Sequence, residues 1–232
     1  MTLESDHLTV FFKLVEDARQ NDGALDSILK SEIKPSDMSL EDLRLFSAAV
    51  EKSVDVKRVS RQLIVAELKK QTQETIINSY LSLIDKEAVG MLERVAEYMQ
   101  SDCYSASVEQ SVFFLKMNGD CYRYLCEFSS GEQRELGIEK SLDFYKRALD
   151  MGDRLSKAHP MVLRLVLAYT VLMHDFEHRR EPAIQLARST FNSAVEEIKD
   201  SDDCKESLAL MQLIRDNVTL WVSDDDEADA VS

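Results

Sequence analysis

The chain reads as an all-α protein of about nine antiparallel helices, and three observations predict this. Only 6 Gly and 3 Pro occur among 232 residues, too little turn chemistry for the many short strands of a sandwich or barrel. Apolar residues recur at steps of three and four along almost the whole chain, which is the mark of amphipathic helices. No segment makes a convincing strand.

Leu3 to Gln20 reads as a first helix, broken at Gly23. A short helix from about Ala24 to Ile33 stops at Lys34-Pro35, because proline removes a backbone donor and pushes its predecessor out of the α region. Ser39, with Asp42 three residues on, nearly matches a capping box for a long helix to about Gln71, in which Val56, Val59 and Leu63 recur at helical spacing. Another covers roughly Glu74 to Gln100.

Ser111 to Phe128 has the clearest two-faced pattern. Phe114, Met117, Cys121, Leu125 and Phe128 share one face, and Lys116, Asp120, Arg123 and Glu127 share another. Gly131 is placed to end it. A helix from about Glu132 to Ser156 follows, and Pro160 and Pro182 each suit the first turn of a further one, where a missing N–H costs nothing. Ile184, Ala187, Phe191, Ala194 and Ile198 form an apolar stripe, and the last helix runs from about Lys205 to Trp221. Residues 223–232, SDDDEADAVS, are acidic and without a packing pattern, so they are expected to be a disordered tail. No repeat of fixed period and no dividing linker is visible, which predicts one domain over residues 1–222.

The formal net charge of −15 would repel a phosphodiester backbone or an anionic membrane, so neither is an expected partner. Cys103, Cys121, Cys126 and Cys204 form no CxxC pair and read as free thiols in a reducing compartment. The start lacks the pattern of a signal peptide. No apolar run approaches the roughly 18 residues that span a bilayer. A cytoplasmic address is expected.

Three segments carry a specific resemblance: SVFFLKMNGDCYRYLCEF (111–128), HPMVLRLVLAYTV (159–171) and SLALMQLIRDNVTLW (207–221). With a weaker match around Met38–Ile64, they resemble the fifth, seventh and last helices of the 14-3-3 family, in order and correctly spaced. The resemblance implies a cup-shaped protomer with an amphipathic groove. It implies an adaptor, not an enzyme, that needs no cofactor and holds phosphoserine or phosphothreonine segments of client proteins. By the same likeness Arg58, Lys116, Arg123, Tyr124 and Asn217 would bind the phosphopeptide. Leu167, Val171, Leu210, Leu213 and Trp221 would wall the groove.

The chemistry agrees independently: a phosphate dianion suits planar, permanently charged donors and a hydroxyl donor, which Arg123 and Tyr124 supply side by side. The chain also departs from the family. A lysine of the third helix falls at Glu51, a later arginine at Gln62 and a backbone-clamping asparagine at Ala168. These changes favour a second reading, a 14-3-3-like helical scaffold with weakened or phosphate-independent binding.

The likeness further implies a homodimer, or a heterodimer with a related chain, with Leu14, Ala18, Ser60, Ile64 and Tyr80 at the interface. Gln20 and Leu83 stand where the family's dimers are tied by charge, so apolar contact is expected to dominate. One motif points elsewhere. His174, Glu177 and His178 fit the HxxEH pattern of inverted zinc peptidases. No comparable second motif supplies a third ligand, and His178, Arg179 and Arg180 are expected simply to complement the negative end of a helix.

Overall fold

The computed structural model describes residue 11 and residues 21–68, 74–100, 107–177, 179–198 and 204–230. Among the described residues it is all-helical: α1 Asn21–Leu29, a 3-10 turn Pro35–Asp37, α2 Leu40–Leu68, α3 Glu74–Gln100, α4 Val108–Leu125, α5 Gly131–Gly152, α6 Pro160–Asp175, α7 Arg180–Glu197 and α8 Lys205–Ala230. Most of the first expected helix lies outside the described residues, as do Leu14, Ala18, Gln20, Cys103 and His178.

The helix ends follow local chemistry. Ser39 and Asp42 form the reciprocal cap of α2: the Asp42 N–H donates to Ser39 Oγ at 3.2 Å, and the Ser39 N–H donates to Asp42 Oδ2 at 3.1 Å. Pro160 opens α6, with the His159 ring accepting from the Met161 N–H at 3.2 Å. Several ends differ from expectation: Gly23, read as a helix break, lies inside α1, which stops at Leu29 and not near Ile33. Gly131 opens α5 with φ of 57° and does not close α4, which stops at Leu125. The last helix runs past Trp221 to Ala230, since no proline or glycine interrupts it and the acidic stretch still contains good helix formers.

The chain divides into two compact units, residues 1–105 with 121–137 and residues 106–120 with 138–232. In the first, α1 packs on α2 and α3, and α2 packs on α3. Leu25, Leu43, Phe46, Val50, Leu92 and Met99 form its core. Two ion pairs tie α1 down, Lys57 to Asp22 at 2.7 Å and Arg94 to Asp26 at 2.8 Å. The Tyr98 hydroxyl donates to the Ile33 carbonyl at 2.8 Å.

The Val56, Val59 and Leu63 stripe of α2 does not enter this core. With Ile76, Tyr80 and Leu83 of α3, its members are 48 to 68 % exposed. The inward face of α2 is instead set by Leu43, Phe46, Val50, Val54, Lys57 and Ile64.

In the second unit α6, α7 and α8 pack against one another. Leu163, Ala187, Ala194, Leu210, Met211 and Ile214 form a buried cluster, with Phe191 and Ile198 packed against it, so the stripe read on α7 is indeed core. Gly119 has a steric reason. A Cβ there would lie 2.5 Å from Tyr145 Cε1, and Tyr145 is fully buried. The Tyr145 hydroxyl donates to Asp120 Oδ1 at 2.6 Å, and Ser141 Oγ donates to the Gly119 carbonyl at 2.8 Å.

Candidate functional site

In the first unit Arg123 stands in the last turn of α4, and Arg58 lies midway along α2. Between them in chemistry is Tyr124, 6 % exposed. The Arg58 guanidinium carbon is 4.9 Å from its ring centroid, and that of Arg123 is 4.3 Å away. The attraction of a cation for a ring face, about 0.5–2 kcal/mol each, gathers two permanent cations at one spot of a chain whose net charge is −15. Three of the five residues predicted for phosphopeptide binding are therefore assembled here.

Sequence reasoning missed the carboxylate that grips Arg58. Glu127 accepts from Arg58 through both oxygens, Nε to Oε2 at 2.5 Å and Nη2 to Oε1 at 2.6 Å. Asp55 accepts from Nη1 at 2.6 Å. The hydrogen bond to Glu127, then its charge, raise the Arg58 pKa against the desolvation that would lower it. A fork-to-fork pair of this kind is geometrically specific as well as strong. Asp55 stands three residues before Arg58, so that bond was readable as an i,i+3 pair. Glu127 is 69 residues away and was legible only as one charge on the α4 stripe.

Glu51, Asp55, Arg58 and Gln62 lie on one face of α2, with Glu51, Asp55 and Gln62 exposed. Arg61 turns aside and bonds Asp85 of α3 at 2.9 Å. Beyond Arg58 on the same face is a cavity of about 470 Å³ lined by Gln62, Val65, Ala66, Glu127 and Phe128 among others.

The remaining site residues belong to the second unit. The Lys116 ammonium pairs with Asp120, which is 2 % exposed and also holds Tyr145. On α8, Leu213 is half-exposed and Asn217 partly buried, and on α6, Leu167 and Val171 are partly buried, as is Ala168. Leu210 and Trp221, expected as groove wall, are instead inward residues, each 5 % exposed. The reason is helical phase: Leu210, Ile214 and Trp221 step by four and seven along the core face of α8, while Leu213, Asn217 and Leu220 step by four and three along the other.

Of the expected interface residues that are described, Tyr80 is exposed and Ser60 partly so, whereas Ile64 is buried within its own unit. The HxxEH segment forms no described metal centre. His174 Nδ1 meets Asp175 Oδ1 at 2.6 Å, and its ring stacks on Trp221 with centroids 4.6 Å apart. Among the described residues no three His, Cys, Asp or Glu side chains converge to hold a metal ion. Arg180 is the first residue of α7. No described helix is long and apolar enough to cross a membrane.

The chain matches the family model described as 14-3-3 protein over residues 11–222. It is 32% identical over 230 residues to 14-3-3-like protein 2 of Caenorhabditis elegans, covering 94% of this chain and 92% of that one. It is 35% identical over 183 residues to 14-3-3 protein eta of Homo sapiens, covering 78% and 68%. The checkpoint signal transducer rad24 of Schizosaccharomyces pombe is 30% identical over 223 residues, covering 91% and 83%. A family match of that extent, joined to a relative aligned over nine-tenths of both chains, means that this chain belongs to the 14-3-3 family.

Proposed function

We propose that the protein is a cytoplasmic adaptor that binds phosphoserine- or phosphothreonine-containing segments of other proteins and performs no catalysis. The observation that carries this reading is the meeting of Arg58 and Arg123 on the buried ring of Tyr124. Two guanidinium groups offer planar N–H pairs that bond phosphate bidentately. Holding them together before a ligand arrives lowers the cost of ordering them. The dianion would then take over hydrogen bonds that Glu127 and Asp55 accept in the unliganded protein.

The same carboxylates favour a second reading, a helical scaffold whose affinity for phosphate is weak. One titration separates the two. A labelled phosphoserine peptide and its unphosphorylated twin are compared against wild type and Arg123→Glu, with circular dichroism to verify folding. The adaptor reading expects at least a tenfold preference for the phosphorylated peptide, equivalent to 1.4 kcal/mol, and its loss in folded Arg123→Glu. Equal binding of both peptides to wild type would select the scaffold.

A further inference from the structure

The cavity beside Arg58 is unlike the arginine and tyrosine cluster next to it. We infer that it is a side-chain subsite for an apolar residue, leucine or phenylalanine, of the same phosphorylated segment, placed about three positions from the phosphoresidue. The inference rests on the phosphate-binding reading above and adds a sequence preference to it.

The geometry starts from helix phase. Arg58, Gln62, Val65 and Ala66 step by four, three and one along α2, so they line one face. Val65 stands seven residues, or about 10 Å, beyond Arg58 along the axis. Phe128, 5 % exposed, closes the floor with Val65 and Ala66. Charges at the rim are already paired: Arg58 with Glu127 and Asp55, and Arg61 with Asp85. Gln62, on the same face, is neutral.

A ligand entering here therefore meets an apolar floor inside a ring of satisfied charges, which suits an uncharged hydrocarbon side chain better than a basic or acidic one. The volume, about 470 Å³, falls within the roughly 300–1,000 Å³ of ordinary ligand pockets. The spacing fits as well. A polyproline-like extended peptide rises about 3.1 Å per residue and returns each side chain to the same side every third residue. With its phosphate at Arg58, such a peptide brings a side chain three positions away over Val65, about 9 Å along.

The test uses the full chain and a set of fluorescent phosphoserine peptides that are otherwise polar. A single leucine is moved from four positions before the phosphoserine to four after it, and each peptide has an unphosphorylated twin. Leucine three positions away, on one side, is expected to tighten binding roughly fivefold to tenfold, the effect of partly burying one aliphatic side chain. Val65→Asn, and independently the exposed-site variant Ala66→Gln, should erase that gain yet leave the all-polar phosphopeptide unchanged.

Phosphate preference with no gain from leucine at any position would overturn the subsite alone. A gain that survives both variants in folded protein would do the same. Absence of phosphate preference throughout the set would instead remove the phosphate reading and the subsite with it.

Discussion

At Arg58, two carboxylates occupy N–H donors that the proposed phosphate ligand would need. They are not equivalent. Glu127 is gripped through both oxygens and is three-quarters buried, whereas the Asp55 carboxylate is 63 % exposed. An exposed i,i+3 pair contributes little to stability, yet its charge stands beside the guanidinium proposed to take phosphate. Asp55→Asn is therefore expected to leave the melting temperature within a degree or two and to raise phosphopeptide affinity about threefold to fivefold at low salt. The gain should fade as ionic strength approaches 1 M, where charges are screened beyond about 3 Å. Titration by fluorescence anisotropy at two salt concentrations measures this, and an unaltered or weaker affinity would mean that Asp55 orients Arg58 and does not compete with the ligand. Cys126 supports a second expectation. Burial pushes its thiol up to about 11, so it stays protonated near neutral pH and should resist alkylation in native protein, with labelling followed by mass spectrometry before and after unfolding.

At the scale of the helices, Gly119 sets two opposing effects against each other. Alanine is the better helix former by about 1 kcal/mol. Its methyl group, however, would sit 2.5 Å from the Tyr145 ring, which cannot withdraw because it is fully buried and its hydroxyl is bound to Asp120. Overpacking of that severity costs roughly 1–3 kcal/mol, so Gly119→Ala is expected to destabilise by about 1–2 kcal/mol despite its higher propensity. A urea midpoint that rose, at constant slope, would show the ring to be more yielding than this packing implies. Such contacts also mark where the sequence was legible and where it was not. The cap at Ser39 and Asp42, the proline at the start of α6 and the stripe on α7 are local patterns, and each was readable as it stands. The partners of Arg58 and Gly119 are not local: Glu127 and Tyr145 come from 69 and 26 residues away, and no periodicity announces such a pairing. Phase was the other obstacle. Val56, Val59 and Leu63 have the spacing of a core stripe yet face outward, and Leu210 and Trp221 lie inward beside a face that carries Leu213 and Asn217.

Taken whole, the molecule shows large apolar side chains where solvent would not favour them. Val56, Val59, Leu63, Ile76, Tyr80 and Leu83, on α2 and α3, are all about half-exposed or more. A concentration of this kind is typical of an association surface, and it supports the dimer expected from the family. The protein should sediment as a dimer at micromolar concentration, with little change between low and high salt, because the residues at positions 20 and 83, Gln20 and Leu83, carry no charge. Val59→Glu combined with Leu63→Lys should yield folded monomer. A wild-type monomer at that concentration, or a salt-labile dimer, would contradict this account.

Trp221 has an optical consequence. It is the only tryptophan in the chain, it belongs to the second unit, and an imidazole ring lies flat against it. Its emission therefore reports directly on the docking of α8 on α6, whereas ellipticity reports on the helices of both units. Because α4 and α5 each lend residues to both units, unravelling one strips helix from the other. Emission and ellipticity should accordingly move along a single denaturation curve. Separate curves would make this indole a clock for one half of the molecule.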